Sequence, residues 1–231
     1  MDDVLSAIAI VPSAPVMVPE LAAGAAPELA DLREAVFTAV AGLPSHWVAV
    51  GVGECDQVVG HHQAGTFAGY GVDVRVALSP GVDSDPVALP LCALITGWLR
   101  GAARADASAE VRVYAHGYGV DAALAHGERL RTEIDEAGDP IGVLVVADGA
   151  NTLTPSAPGG FAPDSIAAQA ALDDALAGGE TAPLTRSPEA VVGRVAFGVL
   201  AGLVGAGPRS AKELYRGAPY GVGYFAGLWQ P

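Results

Sequence analysis

Ile141–Ala147 (IGVLVVA) constrains this chain more than any other stretch: it is short, almost wholly apolar and rich in valine. It breaks off into Asp148, Gly149, Asn151, Thr152, Thr154 and Pro155. A strand covered on both faces reads this way, because neither side needs a polar residue to meet water. Such strands sit inside open α/β sheets, whose ligands bind beyond the strands' carboxyl ends. The polar group after Ala147 is therefore expected at a site.

The same pattern recurs along the chain. Val4–Val11 and His46–Val52 (HWVAVGV) read as core strands, and Glu110–Ala115 (EVRVYA) follows as another. Val72–Leu78 (VDVRVAL) alternates with period two, as expected of a strand with one polar face at a sheet edge. Helical spacing separates these runs. Leu29, Leu32, Val36, Ala39 and Val40 predict an amphipathic helix over Pro27–Gly42, with Pro27 in its first turn. Asp83, Ser84 or Asp85 is placed to cap a second helix, with Pro86 entering it and Leu89, Leu91, Leu94, Ile95, Trp98 and Leu99 along it. Further helices are expected over Ala122–Ala137 and Pro163–Ala177. A buried helix within Ala190–Gly205 follows, with Ser187 as its cap. In the tail, KELYRGAPYGVGYFAGLW concentrates glycine and aromatic residues, which suits a turn and a strand packed closely on other backbone.

Strands alternating with helices predict a three-layer α/β/α sandwich with a central mixed, mostly parallel sheet. At 51% hydrophobic and 16% charged, the 231 residues can bury a substantial core. Apolar segments are spread evenly with no linker between them, so a single domain over residues 1–231 is expected. A formal net charge of -14 and a single lysine, Lys212, disfavour nucleic acid and anionic membrane as partners. Ala190–Gly205 is interrupted by Arg194 and falls short of the roughly 20 residues that span a bilayer. Asp2 and Asp3 open the chain where a secretory signal carries positive charge, and Cys55 and Cys92 form no CxxC pair. A reducing cytoplasm is the expected compartment.

Chemistry-bearing residues gather after the strands. GECDQVVGHH places Glu54, Cys55, Asp56, His61 and His62 beyond the second strand, and His116 falls at the end of EVRVYA. Gly51-Val52-Gly53 begins a dinucleotide-type loop, but Asp56 stands where its third glycine is required. Adjacent His61 and His62 in extended backbone face opposite ways, so they are not a ready ligand pair. Arg209, Lys212 and Arg216, with Tyr215 and Tyr220, form the one basic cluster, read either as a grip for a carboxylate or phosphate or as a solvated face.

Three segments together resemble the class III extradiol ring-cleavage dioxygenases of the protocatechuate 4,5-dioxygenase catalytic-subunit type and the related Memo-like proteins. They are the opening strand running into VPSAPVMVPEL, the loop ADGANTLTPSAPGGF with its following helix, and the terminal APYGVGY. GTFAGYG is similar to a fourth family stretch. The resemblance implies the sandwich fold and a cleft bounded by Ser13, Glu54, His116, Asp148 and Asn151. Active members hold a non-haem iron with two histidines and a carboxylate. Here Ser13 stands at the first histidine position, Gly53-Glu54-Cys55 near the second, and Asn151 at the histidine of the family's GDLSH-type loop. Arg216-Gly217-Ala218 precede the terminal motif where a further ligand would come. Serine and asparagine are poor donors to iron(II) and poor bases at neutral pH. The expectation is a protein that has lost the iron site, needs no cofactor and binds a small molecule or another protein. The aromatic tail is a candidate surface for a homodimer or hetero-complex. The alternative is an enzyme with a rebuilt site: His116, Asp148 and Asn151 as catalytic groups, with Glu54, Cys55 and His61 holding iron or zinc.

Overall fold

The computed structural model describes residues 4–231; Asp2 and Asp3 lie outside the described residues. Among these, the strands are β1 (Leu5–Val11), β2 (His46–Gly53), β3 (Gln57–Val59), β4 (Ala64–Thr66), β5 (Arg75–Ala77), β6 (Ser108–Ala115), β7 (Ile141–Val146), β8 (Ser210–Gly217) and β9 (Tyr224–Gln230). The α-helices are α1 (Pro19–Ala22), α2 (Ala30–Ala41), α3 (Leu91–Ala103), α4 (Val120–Asp135), α5 (Asp164–Gly178), α6 (Thr181–Leu184) and α7 (Arg194–Val204).

Seven strands form one sheet in the order β3-β6-β2-β7-β1-β9-β8. β6, β2, β7 and β1 run parallel; β3 joins one side antiparallel, and the β9–β8 hairpin joins the other antiparallel to β1. Alternate residues of each strand face two separate cores. Trp47, Ala49, Val111, Val113, Leu144 and Val146 pack with α2 and α3 on one face. Val50, Val143, Val145, Phe225 and Trp229 pack with α4, α5 and α7 on the other. The result is a three-layer sandwich with a mixed, mostly parallel sheet, as the alternation of patterns predicts. The apolar run that ends the helical series is buried for a geometric reason: α7 lies against α4 at backbone distance. A Cβ on Gly127 would meet Val199 O at 2.1 Å, and one on Gly202 would meet Leu124 O at 2.1 Å.

Several expected boundaries move. Pro27 lies in a 3-10 segment, Ala23–Leu29, and the α-helix begins only at Ala30. The helix assigned to Pro86 begins at Leu91, after Pro90. Val87 instead bridges to Gly65 in extended backbone, so Asp83–Asp85 cap nothing there. The alternating Val72–Leu78 run contributes β5 to a separate two-stranded sheet with β4 and meets the main sheet only past its end, where Leu78 O accepts Ala109 N–H of β6 at 2.7 Å. Ser187 donates to Leu184 O, and Gly193 occupies the cap position of α7. The loop after β2 holds a strand, β3, against β6. In the tail, three of the five aromatic rings turn inward: Trp229 is fully enclosed, Tyr224 and Phe225 are buried, and Trp229 Nε1 donates to Leu176 O at 2.8 Å, while Tyr215 and Tyr220 stay half-exposed. The three inward rings serve the protein's own core.

The crossovers explain where a cavity opens. The chain leaves β1 and β2 toward the α2/α3 layer and leaves β7 toward the layer of α4, α5 and α7. β7 sits between β1 and β2, so on both its sides neighbouring strands feed opposite layers. Crevices form where connections diverge in this way.

Candidate functional site

A cavity of about 600 Å³ occupies that position. Ser13 enters it from beyond β1, Val52, Gly53 and Glu54 from β2 and its loop, His116 from the end of β6, and Val146, Ala147 and Asp148 from β7. Leu91 from the start of α3 and the segment Glu189–Arg194 complete its wall. Four of the five residues expected at the cleft are thus brought together: Ser13, Glu54, His116 and Asp148.

Asp148 lies on the wall of this cavity. Protein surrounds most of its side chain, and part of the residue stays accessible. Its Oδ1 accepts the Ser13 backbone N–H at 2.8 Å. Burial pushes its carboxyl up to about 7, against the opposing pull of the Ser13 N–H. This carboxyl therefore changes charge near neutrality, unlike an ordinary aspartate.

The backbone around Asp148 is fixed from two sides. Gly193 N–H donates to Asp148 O at 2.8 Å and Val192 N–H to Gly149 O at 3.1 Å. Gly149 N–H donates to Gly223 O, and Gly223 N–H to Ala150 O, both at 2.8 Å. The buried amide of Gln169 on α5 passes between the two glycines: a Cβ on Gly149 or Gly223 would come within 2.1 or 2.2 Å of it. Its Oε1 accepts Ala150 N–H at 2.7 Å, and its Nε2 donates to Asp173 at 2.8 Å. Burial raises the Asp173 carboxyl to about 6, partly offset by the Gln169 bond.

Arg194, at the start of α7, ties the loop after β6 to this wall. Its guanidinium donates to Tyr118 O at 2.9 Å and to His116 O at 3.0 Å. His116 Nδ1 lies 3.3 Å from Gly53 O. Asp56 holds the neighbouring loop by accepting Ala115 N–H at 2.8 Å and the Tyr118 hydroxyl. That hydroxyl, with the Ala115 N–H, keeps the exposed Asp56 below its usual range despite some desolvation.

Asn151 departs from expectation. It does not line the cavity; its Oδ1 lies 2.5 Å from where a Gly159 Cβ would be, and its carbonyl accepts Gly159 N–H at 2.9 Å. The chain after Ala150 curls into a turn that closes over Asn151. Cys55 and His61 also stay outside the cavity, exposed with His62 on the loops flanking β3. Arg216 pairs with Glu213 and Asp174, and Tyr220 donates to Glu28, so these two members of the basic cluster face acidic neighbours. Gln169, Glu189 and Arg194 carried no motif. Arg194 alone left a signal, as the charge that interrupts the apolar run.

An iron held by two histidines and a carboxylate is what the family resemblance implies, and these residues do not fit it. The cavity offers one imidazole, and one oxygen of Asp148 is already bonded to Ser13 N–H. Among the described residues, no group of three or more His, Cys, Asp or Glu side chains is arranged to hold a metal ion. Among them, too, no helix is long and apolar enough to cross a membrane.

No protein-family model matches the sequence, and no curated protein matches it. Among solved structures, the chain resembles the uncharacterized protein JW3007 from Escherichia coli K12, with a TM-score of 0.59 and 11% sequence identity. The match covers 97% of this chain and 99% of that one. At this identity the likeness is one of fold.

Proposed function

We propose that the chain is an extradiol-dioxygenase-like protein that has lost the non-haem iron site and binds a small organic molecule in the cavity beyond β7. The observation that carries this reading is the cavity itself. About 600 Å³ lies within the range of small-molecule sites and is walled by Val52, Leu91, Val146, Val191 and Val192 with a few converging polar groups. Ser13 stands where the resemblance calls for the first histidine, Gly53-Glu54-Cys55 lie near the second, and a hydroxyl in place of an imidazole is a poor donor to iron(II), which supports binding over oxygen chemistry. The two free cysteines accord with a reducing compartment, and the cytoplasm is the proposed location.

Elemental analysis of untagged protein and oxygen uptake with a panel of catechols test the reading together. Substoichiometric iron and zinc and no catechol-dependent uptake are expected. One equivalent of metal, lost on Glu54→Gln or His116→Ala, overturns it. A second reading, an enzyme with a rebuilt site, draws on the convergence of Glu54, His116 and Asp148 on one cavity. The same metal measurement decides between the two.

A further inference from the structure

We infer that the cavity takes an organic cation: a small molecule with an apolar body and an ammonium group that meets Asp148. The inference rests on the binding role just proposed and specifies its ligand. Its first support is the geometry at Asp148. Asp148 is half-buried on the cavity wall, and the one hydrogen bond to its carboxyl among the described residues runs from Ser13 N–H to Oδ1. Oδ2 has no protein donor among the described residues, and Asp148 lines the cavity and stays partly exposed, which leaves that oxygen free to take a ligand N–H.

The second support is charge. The lining carries three carboxyl groups, Asp148, Glu54 and Glu189, against the single guanidinium of Arg194. That guanidinium is committed to the carbonyls of Tyr118 and His116, so it clamps the loop while its donors are turned to backbone. Glu54 and Glu189 are exposed and Asp148 is half-buried, so the carboxyls meet a ligand at different degrees of exposure to water. A net charge of -14 gives the whole molecule a field that draws cations inward. Val52, Leu91, Val146, Val191 and Val192 make much of the remaining wall aliphatic, which suits an apolar body and leaves the ammonium one half-buried partner.

The groups facing Asp148 are the Ser13 N–H, the Tyr224 hydroxyl from β9, and His116, Glu54, Glu189 and Arg194 around the cavity. A carboxyl held at about 7 is mostly protonated at pH 6 and mostly ionised at pH 8. A cation that binds the ionised form is then held about tenfold more tightly at pH 8, because apparent affinity follows the competent fraction. An anion or a hydrogen-bond acceptor that prefers the protonated form shows the reverse.

Calorimetric titration of the full chain with three probes of one shape tests this: 2-phenylethylamine, 2-phenylethanol and 3-phenylpropionate, each at pH 6 and pH 8. The amine is expected to bind at least tenfold more tightly than the other two and to gain about tenfold from pH 6 to pH 8. Asp148→Asn, which keeps an acceptor for Ser13 N–H, is expected to abolish the gain and weaken the amine at least tenfold. Should that variant fail to fold, the pH series on the unaltered protein answers the same question. Equal or tighter binding of the alcohol or the propionate overturns the cation assignment and leaves the cavity as a binding site. Amine binding indifferent to both pH and Asp148→Asn overturns the role of Asp148. Binding of none of the three at millimolar concentration overturns the binding role as well.

Discussion

Replacing Asp148 with asparagine is expected to flatten the dependence of stability on pH. The carboxyl moves from 3.8 to about 7 on folding because burial penalises the charged form. Each unit between those values is worth about 1.4 kcal/mol, so carrying the ionised side chain in the folded protein costs about 4 kcal/mol once the pH exceeds 7. The direction follows from proton binding. Between pH 3.8 and about 7 the folded protein holds a proton that the unfolded chain has released, so stability falls as pH rises and the contribution is lost above pH 7. Asparagine keeps the shape and the acceptor for Ser13 N–H but has no proton to lose. Urea unfolding of both proteins at pH 5 and pH 8.5 isolates the effect, because Asp173 and other titrating groups are common to the two and cancel in the difference. Relative to the variant, the unaltered protein is expected to lose about 3 kcal/mol between those pH values. A gap that stays constant, or one that opens toward acid, would refute the assignment of a raised carboxyl at this position.

Gly149→Ala is expected to destabilise the protein by about 2–3 kcal/mol, since its Cβ would strike the Gln169 amide; urea denaturation measures it. Adding Gln169→Ala relieves the clash but leaves Ala150 N–H without its acceptor, so the double variant departs from additivity. Arg194→Met removes the donors to Tyr118 O and His116 O and is expected to cost about 2 kcal/mol, with faster amide exchange over residues 116–119. Trp229→Ala empties a fully buried site and removes the donor to Leu176 O, for an expected loss of about 3–5 kcal/mol in the same denaturation assay.

The central strands were legible because burial on both faces leaves a mark that survives any local detail: unbroken valine, isoleucine and alanine. The flanking strands left weaker marks. β3 is three residues long, and β8 (SAKELYRG) half-faces water, so neither shows the apolar run of a core strand. Helix starts were misplaced where proline was the guide. Proline tolerates a helix's first turn without requiring one, and at Pro27 and Pro86 the chain stays in a 3-10 segment or in extended backbone. The site followed the rule that strand ends meet, which gathered Ser13, Glu54, His116 and Asp148. It failed at Asn151, three residues farther on, where the turn through Gly159 decides the direction of the side chain. Gln169 and Glu189 act through spatial neighbours far away in sequence, and nothing local announces such partners.

The pairing of β1 with β9 has a consequence for how the protein is made. Ile8, Ala9 and Ile10 face Trp229, Leu228 and Gly227, partners separated by more than 200 residues. On a ribosome, β1 emerges more than 200 residues before β9 and waits with one apolar edge open, a form of exposure that invites association with other chains. Its own partner arrives with residues 224–230. The same late segment brings Gly223, whose carbonyl takes the Gly149 N–H, so the backbone beside Asp148 gains this anchor only at that stage. Nascent chains stalled before residue 221 are therefore expected to carry much of the parallel sheet with the Gly193 and Val192 anchors beside Asp148 but without the Gly223 one, a difference that amide exchange at Gly149 reads.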